Sequence, residues 1–400
     1  MAAYSSVVSR VEAANIPEDA HQAAHHVKGS NGKTIKFRNP HPSAGGGMGS
    51  PIMTSGRVLW SFITGEMSMP TPDDTVKIPA VKPSFLATRS GSTALRATWL
   101  GHACYFVEFP SGLRVLFDPV FEDRCAPVQW IGPKRYTAPA CSLSELPPVD
   151  AVVISHSHYD HLSHTSVQEL AKRNPEAQFF VGLGLEKWFR SSGISKVTEM
   201  DWWQEAELVL QKDKTKAAGS GDAKADEGAP DTISARITCL PCQHSSGRGI
   251  RDQDSTLWAS WAVKSGDKSV WFGGDTGYRR VPKIPLHVDD YGPEYDSLPR
   301  CPQFRQIGEL RGPFDLGLIP IGAYKPRWLF SWMHANPYDA VEIFKETRCK
   351  RAMGIHWGTW ALTSEDVEEP PKLLKEALKT SGIPETGVFD VCAIGETREF

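Results

Sequence analysis

The chain has 400 residues, 10% of them aromatic with 13 tryptophans, enough for a sizeable core and an apolar substrate cleft, in one large α/β domain with an extension or in two domains. A formal charge of −3 and no long Lys/Arg run argue against a nucleic-acid enzyme, which carries a basic footprint. No stretch approaches the apolar length needed to span a bilayer, and the eight scattered cysteines point to reduced thiols in a cytosolic setting.

Residues 1–50 mix His, Gly, Ser, Ala and Pro and close on a glycine run at 45–47, a linker composition expected to be mobile. His21, His25, His26 and His41 within it are expected to be solvated. Met1 to Arg10 lacks an apolar core, and Glu12, Glu18 and Asp19 fit a mitochondrial transit peptide poorly. Residues 55–64 read as a short amphipathic helix, with Val58, Leu59, Phe62 and Ile63 on one face and Trp60 flanking it. That face suits either packing on a catalytic domain or insertion into a membrane interface. Residues 1–92 are therefore read as a partly disordered extension, and 93–400 as the catalytic domain.

From Thr93 a hairpin pattern begins, with a strand over 95–109, a turn at Ser111-Gly112 and a return strand over 113–117. Asp150-Ala151-Val152-Val153-Ile154 is short, β-branched and preceded by two prolines, which predicts a buried strand. Residues 162–173 and 184–192 read as helices. The segment 211–232 is rich in Lys, Ala, Gly and Asp without a large apolar residue, and reads as a disordered surface insertion. Toward the C-terminus, helices at 337–346 and 371–380 alternate with strands at 351–355 and 388–394.

The strand at 150–154 runs straight into Ser155-His156-Ser157-His158-Tyr159-Asp160-His161-Leu162. Three imidazoles and a carboxylate within six positions suit a borderline divalent metal such as zinc. Histidines separated by one residue can grip one ion, while Asp160 and His161 project elsewhere and can hold a second. Two metals require more ligands, and the chain offers them at further strand ends. These are His244 in Pro241-Cys242-Gln243-His244, Asp275 in Gly273-Gly274-Asp275-Thr276-Gly277, and His356 in Gly354-Ile355-His356-Trp357-Gly358. The glycines before Asp275 permit a sharp turn that exposes the carboxylate. Ligands delivered from successive strand ends are how α/β enzymes build a site along one sheet edge.

This order of ligands resembles the metallo-β-lactamase superfamily of binuclear hydrolases. Within it the chain closely resembles the N-acylphosphatidylethanolamine-hydrolysing phospholipase D family. The segments that carry the likeness include Trp99-Leu100-Gly101-His102-Ala103, Gly132-Pro133-Lys134-Arg135-Tyr136, Asp201-Trp202-Trp203, Ile319-Pro320-Ile321-Gly322-Ala323-Tyr324 and Pro326-Arg327-Trp328. The likeness runs from about residue 95 to the C-terminus, with an echo at Phe37-Arg38-Asn39-Pro40. Ser157 stands where relatives commonly carry Asn, and Met333 where they carry Gln before His334.

The resemblance implies an αββα sandwich of the α/β class and two zinc ions per chain. His156, His158 and His244 would hold one ion, Asp160, His161 and His356 the other, and Asp275 would bridge them, with Asp160 and Asp275 the catalytic candidates. It implies hydrolysis of N-acylphosphatidylethanolamine to N-acylethanolamine and phosphatidate by a metal-bound hydroxide attacking phosphorus. No protein nucleophile is then needed, and no G-x-S-x-G elbow is present. Tyr159 and His334 would line the substrate pocket, His102 would buttress a ligand, Asp118 would tie a strand end to the site, and Lys134-Arg135 and Lys325-Arg327 would attract phosphate. A membrane phospholipid is the expected partner, met by peripheral contact from the cytoplasm, with a homodimer allowed and a mitochondrial address poorly supported. Two other readings compete: a hydrolase of this fold acting on a soluble lactone or another phosphodiester, and a non-catalytic lipid-binding protein. The first would not need an exposed apolar entrance at 59–63, and the second gains nothing from seven intact metal ligands.

Overall fold

Successive side chains of a strand point to opposite faces, and in this chain both faces are apolar. Val115 and Phe117 enter one buried cluster while Leu116 enters another, and Ala151 and Val153 part from Val152 and Ile154 in the same way. Strands of that kind need cover on both sides, as in a layered α/β fold. The computed structural model describes residues 4–13, 15–45, 60–61, 63–70, 78–213, 228–249, 251–285 and 288–400.

The strands in chain order are β1 (Tyr4–Val11), β2 (His26–Lys28), β3 (Thr34–Phe37), β4 (Arg96–Gly101), β5 (Cys104–Glu108), β6 (Arg114–Phe117), β7 (Ala151–Val153), β8 (Gln178–Gly182) and β9 (Val197–Met200). They continue as β10 (Glu205–Lys212), β11 (Thr232–Leu240), β12 (Ser260–Ser265), β13 (Lys268–Phe272), β14 (Phe314–Pro320), β15 (Cys349–Ile355), β16 (Phe389–Asp390) and β17 (Thr397–Glu399). One sheet runs β17-β4-β5-β6-β7-β8-β9, a second runs β1-β10-β11-β12-β13-β14-β15-β16, and β2-β3 form a separate hairpin. Strands β6 to β9 are parallel, as are β13 to β16, so each sheet carries a parallel half.

The main core lies between the sheets, where Trp99, Phe117, Trp261 and Phe272 meet. Helices α1 (His164–Arg173) and α2 (Glu186–Ser191) cover the outer face of the first sheet through Val167, Leu170 and Phe189. On the second sheet lie α3 (Gln303–Leu310), α5 (Pro337–Glu346) and α6 (Glu369–Thr380), with α4 (Arg327–Phe330) a single turn between α3 and α5. The layering is the expected αββα sandwich.

Three local readings change. The linker expected over 1–50 is structured over residues 4–13 and 15–45. There β1 pairs antiparallel with β10 from Tyr4↔Lys212 to Val11↔Glu205 and forms the edge of the second sheet. A strand with one face on the core and one in water has few large apolar residues, so its composition reads as a linker. The strand expected over 95–109 is broken at Gly101 and His102, both at positive φ (105° and 52°), which turns β4 back on β5 and aims His102 inward. The insertion is narrower than 211–232, because β10 runs to Lys212 and β11 starts at Thr232; residues 214–227 lie outside the described residues. Of the helix expected over 55–64, Trp60, Ser61 and Ile63 are described and helical, and 55–59 and Phe62 lie outside.

Candidate metal centre

All the candidate ligands sit past the C-terminal ends of strands, β7 in the first sheet and β11, β13 and β15, which share one direction, in the second, and there they converge. Asp118, after β6, anchors the first ligand loop. Its carboxylate accepts the Ser155 amide at 2.7 Å and also takes the Ser155 hydroxyl, so the chain leaves β7 in a set direction. At the third strand end, Gly274 sits at φ 57°, and a Cβ there would come within 2.5 Å of the Ser155 side chain. Only glycine lets the turn carrying Asp275 approach that closely.

The seven candidates come together in two sets. Nitrogens of His156, His158 and His244 converge, with His156 Nε2 at 2.8 Å and His244 Nε2 at 3.3 Å from His158 Nδ1. Asp160, His161 and His356 form the other set, joined by His102. Asp275 lies between them: its Oδ2 is 3.2 Å from His161 Nε2 and 3.0 Å from His356 Nε2, and 3.6 Å from His244 Nε2 on the other side. His156, His161, His244, Asp275 and His356 are buried, whereas His158, Tyr159 and Asp160 are half-buried and face the opening.

Supporting groups fix several rings. His161 Nδ1 is 2.6 Å from Asp118 Oδ2, His244 Nδ1 is 2.8 Å from the Met333 carbonyl, and His102 Nε2 is 3.0 Å from Asp160 Oδ2. Partners of this kind orient a ligand and raise its basicity. His102 contacts Asp160, and the Met333 position meets His244 through its backbone.

Burial is the largest influence on each of the seven candidate ligands. It drives His156 and His244 well below the usual imidazole range. For His161 and His356 burial is outweighed, first by Asp275 and then by Asp160, which lifts His356 to about 9 and His161 well above its usual range. Burial opposes ionisation of Asp160 and Asp275, yet the neighbouring histidines, His161 foremost, hold both well below the carboxylate range. Asp275 Oδ1 is buried and has no hydrogen-bond partner among the described residues, a costly state for a carboxylate oxygen. Divalent cations would balance the two carboxylates, satisfy that oxygen and leave the imidazoles neutral, the form in which they ligate. The donor set fits such ions.

His334 is buried beside His244 and Asp275, its Nδ1 3.9 Å from Asp275 Oδ2 and without a hydrogen-bond partner among the described residues, and burial lowers it to about 3, so the ring is neutral. Two groups escaped the sequence reading. Asn39 clamps the His244 main chain, donating to its carbonyl at 2.8 Å and accepting from its amide at 3.2 Å; the motif at 37–40 was its only trace. Arg248 donates to the carbonyls of Ser157, at 2.6 Å, and Leu162, and stacks on Tyr159 at 4.6 Å, bracketing the ligand loop.

The cations expected to attract phosphate are engaged elsewhere. Arg135 is buried over Trp360 and donates to the Glu122 and Val120 carbonyls. Arg327 pairs with Asp290 and Asp339, each at 2.8 Å, and Lys325 with Glu369 at 2.7 Å. Exposed Lys134 faces Asp123 at 3.8 Å. Motif spacing cannot show that a cation already has a structural partner.

A family model described as the beta-lactamase superfamily domain matches residues 113–357. N-acyl-phosphatidylethanolamine-hydrolyzing phospholipase D 1 of Caenorhabditis elegans is 36% identical over 358 residues, 87% of this chain and 87% of that protein. An uncharacterized protein of Mycobacterium tuberculosis is 35% identical over 75% of this chain and 68% of its own length. The mitochondrial N-acyl-phosphatidylethanolamine-hydrolyzing phospholipase D of Saccharomyces cerevisiae is 29% identical over 71% of this chain and 52% of its own. Among solved structures, a metallo hydrolase from Ignicoccus hospitalis aligns with a TM-score of 0.47 at 19% identity, over 77% of this chain and 99% of that one.

Proposed function

This chain belongs to the beta-lactamase superfamily, among the N-acyl-phosphatidylethanolamine-hydrolysing phospholipases D, and is a metal-dependent phosphodiesterase; on that premise we propose that it cleaves N-acylphosphatidylethanolamine to N-acylethanolamine and phosphatidate with two zinc ions. The observation that carries this reading is the convergence of the two donor sets on Asp275, whose Oδ1 is buried and unpartnered among the described residues. His156, His158 and His244 would hold one ion, Asp160, His161 and His356 the second, and Asp275 would touch both. A bound pair of such ions supplies an acidified water and neutralises charge on phosphate oxygens.

The protein's own groups do the rest. Asp118 and His102 hold His161 and Asp160 in place. His334, neutral and lacking a partner at Nδ1 among the described residues, is available to hydrogen-bond a phosphodiester oxygen. Tyr159, half-buried and braced by Arg248, borders the opening where the lipid would enter.

The substrate class calls for peripheral contact with a bilayer from the cytoplasmic side. Among the described residues no helix is long and apolar enough to cross a membrane. Trp60 and Ile63 are 63% and 68% exposed, and Trp60 borders a cavity of about 370 Å³ lined also by Arg280, Trp328 and Lys283, the last paired with Glu66 at 2.6 Å. Aromatic and aliphatic side chains beside cations suit an anionic lipid surface.

The test is metal analysis of the purified full chain, joined to an assay on a panel of phospholipids and soluble esters. Release of N-acylethanolamine that stops on chelation and returns with zinc is expected. Turnover of a lactone with none of the lipid would overturn the proposal.

A further inference from the structure

A second convergence of donors lies outside the catalytic edge. His25 and His26, at the start of the β2–β3 hairpin, both turn their Nε2 atoms onto Asp201, the residue that follows β9. His25 Nε2 is 2.7 Å from Oδ1, and His26 Nε2 is 2.8 Å from Oδ2. The three ligand atoms lie within 4.8 Å of one another.

His25 closes the turn that precedes β2 and His26 opens the strand, a bend sealed by the His26 amide on the Ala23 carbonyl at 2.9 Å, and this brings the two adjacent imidazoles onto one carboxylate. His26 Nδ1 lies 2.8 Å from the Thr34 hydroxyl, which can take its proton and leave Nε2 as a lone-pair donor. His25 is clamped by stacking on Trp202, ring centroids 4.3 Å apart. An imidazole oriented through its second nitrogen is the usual state of a metal ligand. Two imidazoles with one carboxylate suit zinc and its first-row neighbours. His25 is buried, while His26 and Asp201 keep side-chain exposures of 11% and 20%, enough for an ion to enter and hold a water.

We propose that His25, His26 and Asp201 form a structural site for a divalent transition ion that fastens the N-terminal segment to the catalytic sandwich. The consequence reaches the main site through the backbone. His26 pairs with Phe37 across the hairpin, and two residues further on Asn39 grips the main chain of His244. A metal on the hairpin would therefore steady one wall of the phosphodiesterase centre from outside it.

The experiment counts zinc in the full-length protein after dialysis against free zinc. A variant with both catalytic sets opened, His158→Ala with Asp275→Asn and His356→Ala, should still retain about one equivalent of zinc per chain. Adding His26→Gln should remove it, and His26→Cys, which restores a ligand atom, should keep it. Thr34→Val, which spares all three donors, should weaken the retained zinc by about 10–100-fold. No zinc in the first variant, or zinc undiminished by His26→Gln, would overturn the proposal and leave the cluster as hydrogen bonds alone. If His26→Gln unfolds the chain, the cysteine and Thr34 variants decide the matter. The count at this cluster is independent of whether the catalytic centre acts on a phospholipid.

Discussion

His161 and Asp118 form a close support within the candidate centre, Nδ1 to Oδ2 at 2.6 Å with both side chains fully buried. The carboxylate also receives the Ser155 amide and hydroxyl, so one residue sets both the path of the ligand loop and the tilt of a ligand ring. Asp118→Asn keeps the shape but turns an amide donor or a weaker acceptor toward the imidazole. Metal affinity of the protein should fall by about 10–100-fold. Chelator competition reads this directly, and an unchanged affinity would show that His161 is oriented by packing alone.

Asp275→Ala, and separately His158→Ala, should strip metal from the catalytic centre and abolish nearly all turnover. The first removes the group between the two donor sets, and the second opens the set around His156 and His244. Elemental analysis alongside the lipid assay checks both. Full activity in a metal-free His158→Ala protein would eliminate metal-assisted hydrolysis.

Trp60→Glu with Ile63→Glu should weaken binding to anionic vesicles and slow turnover of vesicle-borne lipid. Both side chains are largely exposed, so unfolding free energy should move by no more than about 0.5 kcal/mol per substitution. Hydrolysis of a short-chain, monomeric phosphodiester should be spared. Equal loss on both substrates, with a large drop in melting temperature, would mean that these residues support the fold.

Replacing residues 214–227 by a short Gly/Ser connection should leave turnover nearly unchanged. The flanking strands already pair up to Gln211↔Thr232, and the Lys212 amide meets the Asp231 carbonyl at 2.9 Å. Loop closure changes by only about 0.6 kcal/mol per doubling of length. A properly folded deletion protein with more than about a tenfold loss of activity, equivalent to about 1.4 kcal/mol in the barrier, would identify the segment as part of the substrate path.

Arg89→Ala should be among the more damaging changes remote from the centre. Arg89 holds Asp150 in a bidentate pair at 2.7 and 2.8 Å, with both side chains nearly inaccessible, and Asp150 also takes the Arg114 amide. Removing one partner leaves a buried charge uncompensated, at a cost of about 3–5 kcal/mol. Denaturant unfolding measures it; a loss below about 1 kcal/mol would show that water reaches the site.

The convergent His and Asp side chains were legible in the amino-acid sequence as candidate ligands because each belongs to a local unit: an apolar run, then a turn that carries a His or Asp. Spacing and strand-end position identify such units without knowledge of their neighbours, and Asp275 with its glycines and His356 with its flanking Ile355 and Trp357 are of this kind. The short β-branched run at 150–154 likewise marked a buried strand. Tertiary structure alone decided what depends on partners far along the chain. Residues 4–11 become a strand only because β10, some two hundred positions later, offers an open edge for backbone hydrogen bonds, to which side-chain composition is nearly blind. His25 and His26 look like solvated linker residues until the hairpin lays them on Asp201, and Asn39 is unremarkable until it meets His244. Arg135 and Arg327 looked available for phosphate because their acceptors, the Val120 and Glu122 carbonyls and the carboxylates of Asp290 and Asp339, are brought to them by folding. Strand-end chemistry is written locally; edge pairing and buried charge compensation arise from contacts that only the folded chain creates.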